Sequence, residues 1–180
     1  MKLIIGLGNP GNNHAKTRHN AGFLCLDYLQ KEWGCDTFQS DKKMSADVST
    51  GTFGKHKVLL VKPSTFMNAS GTAVSQLVHF YKLQPEDIVV LHDDLDIAPA
   101  TFKATNSSRA AGHNGVSDII EKLGTQDFYR IRLGIGRPVE VNGACMPSHD
   151  FVLQNFGNEE LASLSTLFPQ VKTELEKWLS

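Results

Sequence analysis

The chain has 180 residues, 41% of them apolar, which suits one domain with a sizeable core and excludes a disordered or fibrous chain. Eighteen Lys and Arg stand against 19 Asp and Glu, for a formal net charge of −1, so a bulk polycation is excluded and any phosphate contact must come from a local basic patch. No apolar run approaches the roughly 18 residues of a membrane span, no secretory signal pattern opens the chain, and three cysteines without a C-x-x-C argue against a disulfide framework or a zinc site.

These features lead to the expectation of a cytoplasmic, single-domain protein over residues 1–180. The first element is a short apolar run, Leu3 to Leu7, ended by glycines, which predicts a buried strand. The stretch Gly6-Leu7-Gly8-Asn9-Pro10-Gly11 then satisfies G-x-G-x-x-G. A dinucleotide site needs a helix opening at those glycines and an acidic residue closing a second strand about twenty residues on. Here a polar run, 12–20, follows the turn, and apolar periodicity starts only at Phe23. Asp27 and Glu32 fall inside the next helical pattern, and Pro10 removes a backbone N–H. The turn is therefore read as a tight loop that presents Asn9, and no dinucleotide is expected there.

Phe23, Leu26, Leu29 and Trp33 predict a helix over 20–34, with Asn20 as its N-cap and with a second role in ordering the loop of His19, and with Gly34 past its end. Lys57 to Lys62 reads as a second buried strand. Ala73, Val74, Leu77, Val78 and Tyr81 mark a helix over 70–83, and Ile88 to His92 a third strand. Val116, Ile119, Ile120 and Leu123 mark another helix. Residues 129–136 alternate polar and apolar, as a strand with one wetter face would. A terminal helix over 159–179 carries an apolar seam interrupted by Pro169. Strands alternating with helices predict an α/β class with a mixed, mostly parallel twisted sheet and helices on both faces. In such sheets ligands bind beyond the carboxyl ends of the strands, where Asn9, Asn68 and His92-Asp93-Asp94 fall.

Five segments occur together in one order: Gly6 to Gly11, Thr17-Arg18-His19-Asn20, Phe66-Met67-Asn68-Ala69-Ser70-Gly71, His92-Asp93-Asp94-Leu95-Asp96 and Gly112-His113-Asn114-Gly115. In order and spacing the chain resembles bacterial-type peptidyl-tRNA hydrolases from Met1 to about Phe156, with residues 128–138 and 149–153 also similar. The resemblance implies hydrolysis of the ester joining a peptide to the 3′ end of tRNA, without metal or cofactor. It implies His19 as general base with Asp93 as its partner, Asn9 within the catalytic set, and Asn68, Asn114, Met67, Phe66 and His113 around the substrate.

The chemistry agrees with those roles. A histidine near its ordinary pKa can take a proton from water at neutral pH, and a carboxylate on its other ring nitrogen fixes the tautomer. Amides donate and accept without changing charge, which suits peptide groups of any sequence. No G-x-S-x-G elbow is present, and Cys25 falls inside a helix, so direct attack by water is expected. His113 could orient its loop or touch RNA, and His92 reads as structural. Asp93, Asp94 and Asp96 invite a metal reading, but a solvated strand end is expected instead. For tRNA phosphates the candidates are Lys103, Arg109, Arg130, Arg132 and Arg137, with Arg130 and Arg132 on one strand face.

The chain also departs from the family pattern. His14 stands where an aromatic residue is usual. The loop before Gly112, residues 104–111, lacks the usual lysines and glycines, which restricts positive φ angles and weakens phosphate attraction. A non-catalytic RNA-binding scaffold, or an esterase of small acyl esters, are the alternatives. No heptad seam is visible, so a monomer is expected.

Overall fold

The computed structural model describes residues 1–180. Four parallel strands form the centre of the sheet: β1 (Lys2–Gly6), β4 (His56–Pro63), β5 (Ile88–Asp94) and β7 (Tyr129–Gly134). Antiparallel strands flank them: β2 (Gln39–Asp41) and β3 (Ala46–Phe53) on one edge, β6 (Phe102–Asn106) on the other. The order is β2-β3-β4-β1-β5-β7-β6. β1 lies between β4 and β5, with Ile4 opposite both Leu60 and Val89. Such doubly flanked strands are buried on both faces, which is why they read as continuous apolar runs.

Helices cover both faces. α1 (Ala21–Glu32) and α5 (Asn158–Leu179) close over one, through Leu26, Leu29, Leu167 and Val171. α2 (Ser70–Tyr81) and α3 (Asn114–Leu123) close over the other, through Val74, Leu77, Val116 and Ile119. A short helix, α4 (Ser148–Leu153), stands beside the carboxyl ends of the strands with Phe151 and Val152 buried. Each of these fully buried aliphatic side chains contributes about 1.5–3 kcal/mol.

The glycine turn has a packing role. A Cβ on Gly6 would stand 2.5 Å from the carbonyl oxygen of Gly22, and one on Gly22 would meet the Leu91 carbonyl. The glycines therefore let α1 lie directly against β1 and β5. The chain after the turn runs through 3-10 turns at Asn12–His14 and Arg18–Asn20 before α1 begins.

Four local expectations need correction. α5 runs unbroken through Pro169, because the hydrogen bond lost there lies on the exposed side while the buried stripe holds the helix to the sheet. β7 has no wet face. It is an inner strand, and Arg130 is 1% exposed. The segment read as a loop from Ala104 is the strand β6 as far as Asn106. Asn20 stands at the N-cap of α1 without a capping hydrogen bond, because its side chain is occupied elsewhere. β2, β3, β6 and α4 had no counterpart in the sequence reading: their residues are half exposed and carry no sustained apolar periodicity.

Candidate active site

Asp93 lies near the carboxyl end of β5, 3% exposed, and faces the α1 side of the sheet. His19 reaches it from the 3-10 turn Arg18–Asn20, with Nδ1 at 2.9 and 3.0 Å from the two carboxylate oxygens. His113 reaches it from the N-cap of α3, with Nε2 at 2.8 Å from Oδ1. Hydrogen-bond logic sets the tautomers. Asp93 accepts from Nδ1–H of His19, which leaves His19 Nε2 as a free acceptor. His113 Nδ1 accepts from the backbone N–H of Val116 at 3.3 Å, so its proton is on Nε2 and is donated to Asp93.

The electrostatics follow from this array. Burial alone would raise the Asp93 carboxyl, but the two imidazoles, by charge and hydrogen bond, hold it well below the usual carboxylate range. Burial lowers His19, yet the Asp93 charge and hydrogen bond outweigh it, so His19 titrates above 6.5. His92, behind them, is held well below 6.5 by burial first and then by His113 and Arg130. It is therefore neutral, with Nδ1–H donating to the Asp93 carbonyl at 2.8 Å. Burial also pushes the Cys25 thiol up, away from nucleophilic use.

The turn that carries His19 is tied down by Arg18, whose part sequence reasoning missed, and by Asn20, which holds the loop as well as standing at the head of α1. Arg18 donates through Nε and Nη2 to both oxygens of Glu160 on α5, each at 2.9 Å, and through Nη1 to the Phe151 carbonyl on α4 at 3.0 Å. Its guanidinium lies 3.9 Å from the Phe151 ring centre. The Arg18 N–H donates to the Gln154 carbonyl, and Thr17 bridges to Asn155. Asn20 exchanges two hydrogen bonds with the backbone of Asn9, at 2.8 and 3.0 Å. For Arg18 the only signal in the sequence was its position beside His19 in the motif.

Asn9 is buried, and its Oδ1 accepts from the N–H of Met67 at 2.7 Å. That bond fixes the amide orientation, so Nδ2 is the group left to donate to a ligand. Met67 is thus buried and acts through its backbone, while Asn68 and Phe66 on either side are exposed, Phe66 at 63%. His14 meets the edge of Phe66, ring centres 6.5 Å apart. His19, Asp93, His113 and Asn114 line one open cavity of about 280 Å³, walled by Asp96 and by His149 of α4. Asn9 lies outside it, in a smaller pocket of about 210 Å³ with Asn20, Phe23 and Lys62. Donor atoms of His19, Asp93 and His113 fall within 4.8 Å of one another. A metal there would exchange both imidazole hydrogen bonds to Asp93 for coordination.

The basic candidates divide. Lys103 on β6 stands opposite Arg132 on β7, so both share one sheet face. Lys103 and Arg109 are exposed. Arg132 is half-buried and donates to Asp94 at 2.8 Å, and Arg137 is exposed and paired with Asp96. Arg130 is withdrawn from the surface altogether, its Nη2 donating to the carbonyls of Ser108 and Arg109 at 2.6 and 2.8 Å.

With this geometry in view, the chain matches the family model described as peptidyl-tRNA hydrolase over residues 3–180. It is 44% identical over 178 residues to a peptidyl-tRNA hydrolase of Desulfitobacterium hafniense, covering 99% of this chain and 92% of that one. It is 42% identical over 180 residues to that of Bacillus cereus strain Q1, covering 100% and 94%. Among solved structures, it is similar to a peptidyl-tRNA hydrolase in complex with N-propanol, at 32% identity and a TM-score of 0.90, covering 99% of this chain and 88% of that one. A peptidyl-tRNA hydrolase from Acinetobacter baumannii gives 33% identity and a TM-score of 0.88, covering 98% and 87%.

Proposed function

The chain belongs to the peptidyl-tRNA hydrolase family, and on that premise we propose how its residues hydrolyse the ester between a peptide and the 3′ end of tRNA. The observation that carries the reading is the His19–Asp93 pair, whose remaining acceptor, Nε2 of His19, is open to the cavity. Water held at Nε2 loses its proton to the imidazole as its oxygen attacks the ester carbonyl. Asp93 stabilises the imidazolium that forms. The exposed amide of Asn114, in the same cavity as His19, serves the developing oxyanion, while the exposed amide of Asn68 and the donor left on Asn9, in the neighbouring pocket, serve the peptide groups. Collapse of the tetrahedral adduct breaks the bond to the ribose oxygen, which takes the proton back from His19 and leaves as a hydroxyl.

General-base assistance of this kind is worth about 10²–10⁴-fold. Lys103, Arg109 and Arg132 supply the phosphate contacts. Action on peptidyl-tRNA supports a cytoplasmic setting, where translation runs, and the lack of a heptad seam in the sequence supports a monomer. No helix is long and apolar enough to cross a membrane. The test is incubation with N-acyl-aminoacyl-tRNA, free aminoacyl-tRNA and a small acyl ester. Cleavage of the first alone, lost in His19→Ala, supports the reading. Retained tRNA binding without cleavage by the parent protein would instead support the scaffold.

A further inference from the structure

Arg130 is the largest fully buried side chain of the protein, and it forms no ion pair. The nearby carboxylate of Asp94 is taken by Arg132. A buried cation without a carboxylate partner is costly, and burial lowers the Arg130 guanidinium to about 10. Its hydrogen bonds go to one place. Nη2 donates to the Ser108 carbonyl, the Ser108 hydroxyl and the Arg109 carbonyl, all in the loop between β6 and α3.

That loop is strained. Ser107 and Ala111 have φ of +51° and +49°, in the left-handed region that disfavours side chains. Such a conformation persists only where its surroundings over-determine it. The same loop delivers His113 and Asn114 to the cavity. A second contact points the same way. Arg130 pairs with Val90 in the ladder and His92 with Arg132, so Arg130 and His92 lie on one face of the sheet, one diagonal step apart. Nε of Arg130 and Nε2 of His92 are both buried without partners, one a donor and the other an acceptor. The His92 ring meets the His113 ring edge-on at 4.7 Å, and the His113 ring lies 4.9 Å from that of His19.

We propose that Arg130 is a positioning residue for hydrolysis, holding the 107–113 loop and, beside His92, the His113 ring that shares Asp93 with His19, and that it makes no contact with tRNA. The proposal rests on the hydrolytic reading above and deepens it. A shift of about 1 Å in a catalytic constellation can cost on the order of a hundredfold in rate, so releasing the loop acts on turnover.

The experiment compares Arg130→Met, which keeps an apolar stem without donors, with Arg130→Lys, which restores a donor for the two carbonyls. In Arg130→Met, kcat falls about tenfold or more, while the Kd for uncharged tRNA and its salt dependence stay within about twofold of the parent. Arg130→Lys recovers part of the loss. A parent-level kcat in Arg130→Met overturns the proposal, as does a loss expressed in tRNA affinity with a flattened salt slope. Should Arg130→Met fail to fold, Arg130→Gln, too short to reach both carbonyls, carries the same readouts. Imidazole nitrogen NMR of the substrate-free Arg130→Met or Arg130→Gln protein is independent of hydrolysis. His113 signals that move support the positioning role, and unchanged signals overturn it. A parent protein that does not cleave peptidyl-tRNA would defeat the functional reading, and the NMR comparison would still decide the part played by Arg130.

Discussion

Asp93 is the residue on which the proposed chemistry turns, because it alone faces two imidazoles at once. Asp93→Asn keeps its shape but loses the charge that orients and stabilises His19 as an imidazolium. Single-turnover kinetics are expected to show kcat reduced by about 10²-fold or more, with tRNA affinity little changed. The pH dependence has a definite sign. His19 must be neutral to accept a proton, and its pKa is raised above 6.5, so the rate rises with pH along an acid limb whose midpoint lies above 6.5. In Asp93→Asn that midpoint moves down. A raised histidine contributes stability below its unfolded value that is lost as pH rises through the folded one. The depressed Asp93 contributes stability above the ordinary carboxylate value that is lost as pH falls through the folded one. The pair therefore supports the fold most strongly between the ordinary carboxylate value and the unfolded value of histidine.

At the scale of elements, the site is a junction rather than a surface. The His19 turn is bound to α4 and α5 by Arg18, and to the glycine loop by Asn20. Arg18→Ala removes the three side-chain hydrogen bonds that tie the turn to Glu160 and the Phe151 carbonyl, leaving Glu160 the Gly157 N–H and Phe151 the Gln154 N–H. Denaturant unfolding is expected to register a loss of about 2–4 kcal/mol, with a parallel fall in kcat. The antiparallel pair β6–β7 carries the proposed phosphate contacts. Lys103 and Arg132 are cross-strand neighbours, and Lys103→Ala should weaken tRNA binding and reduce the salt slope by about 1. Arg132→Ala also frees Asp94, so its loss in affinity should exceed that of Lys103→Ala. Filter-binding titrations across ionic strength distinguish the two.

Across the whole molecule, two apolar layers on one sheet hold strand ends from distant parts of the chain within hydrogen-bonding distance of each other. Leu167→Ala removes a fully buried side chain between α5 and the sheet, and thermal unfolding is expected to show a loss of about 2–5 kcal/mol. The α/β alternation, the central strands and the amphipathic helices were legible in the sequence because burial on one face or two imposes a local period. The five short motifs were legible because they stand in family order. The outer strands β2, β3 and β6 were not, since strands at the margin of a sheet need no uninterrupted apolar run. What the linear order could not decide was the use of each polar group. Arg130 looks like a phosphate ligand in a row of basic residues, and Asn20 like a helix cap. Their partners, Ser108 and Asn9, lie 22 and 11 residues away in the chain. A side chain's period along the sequence fixes which face it occupies, but its hydrogen bonds depend on which distant backbone the folded sheet carries past it.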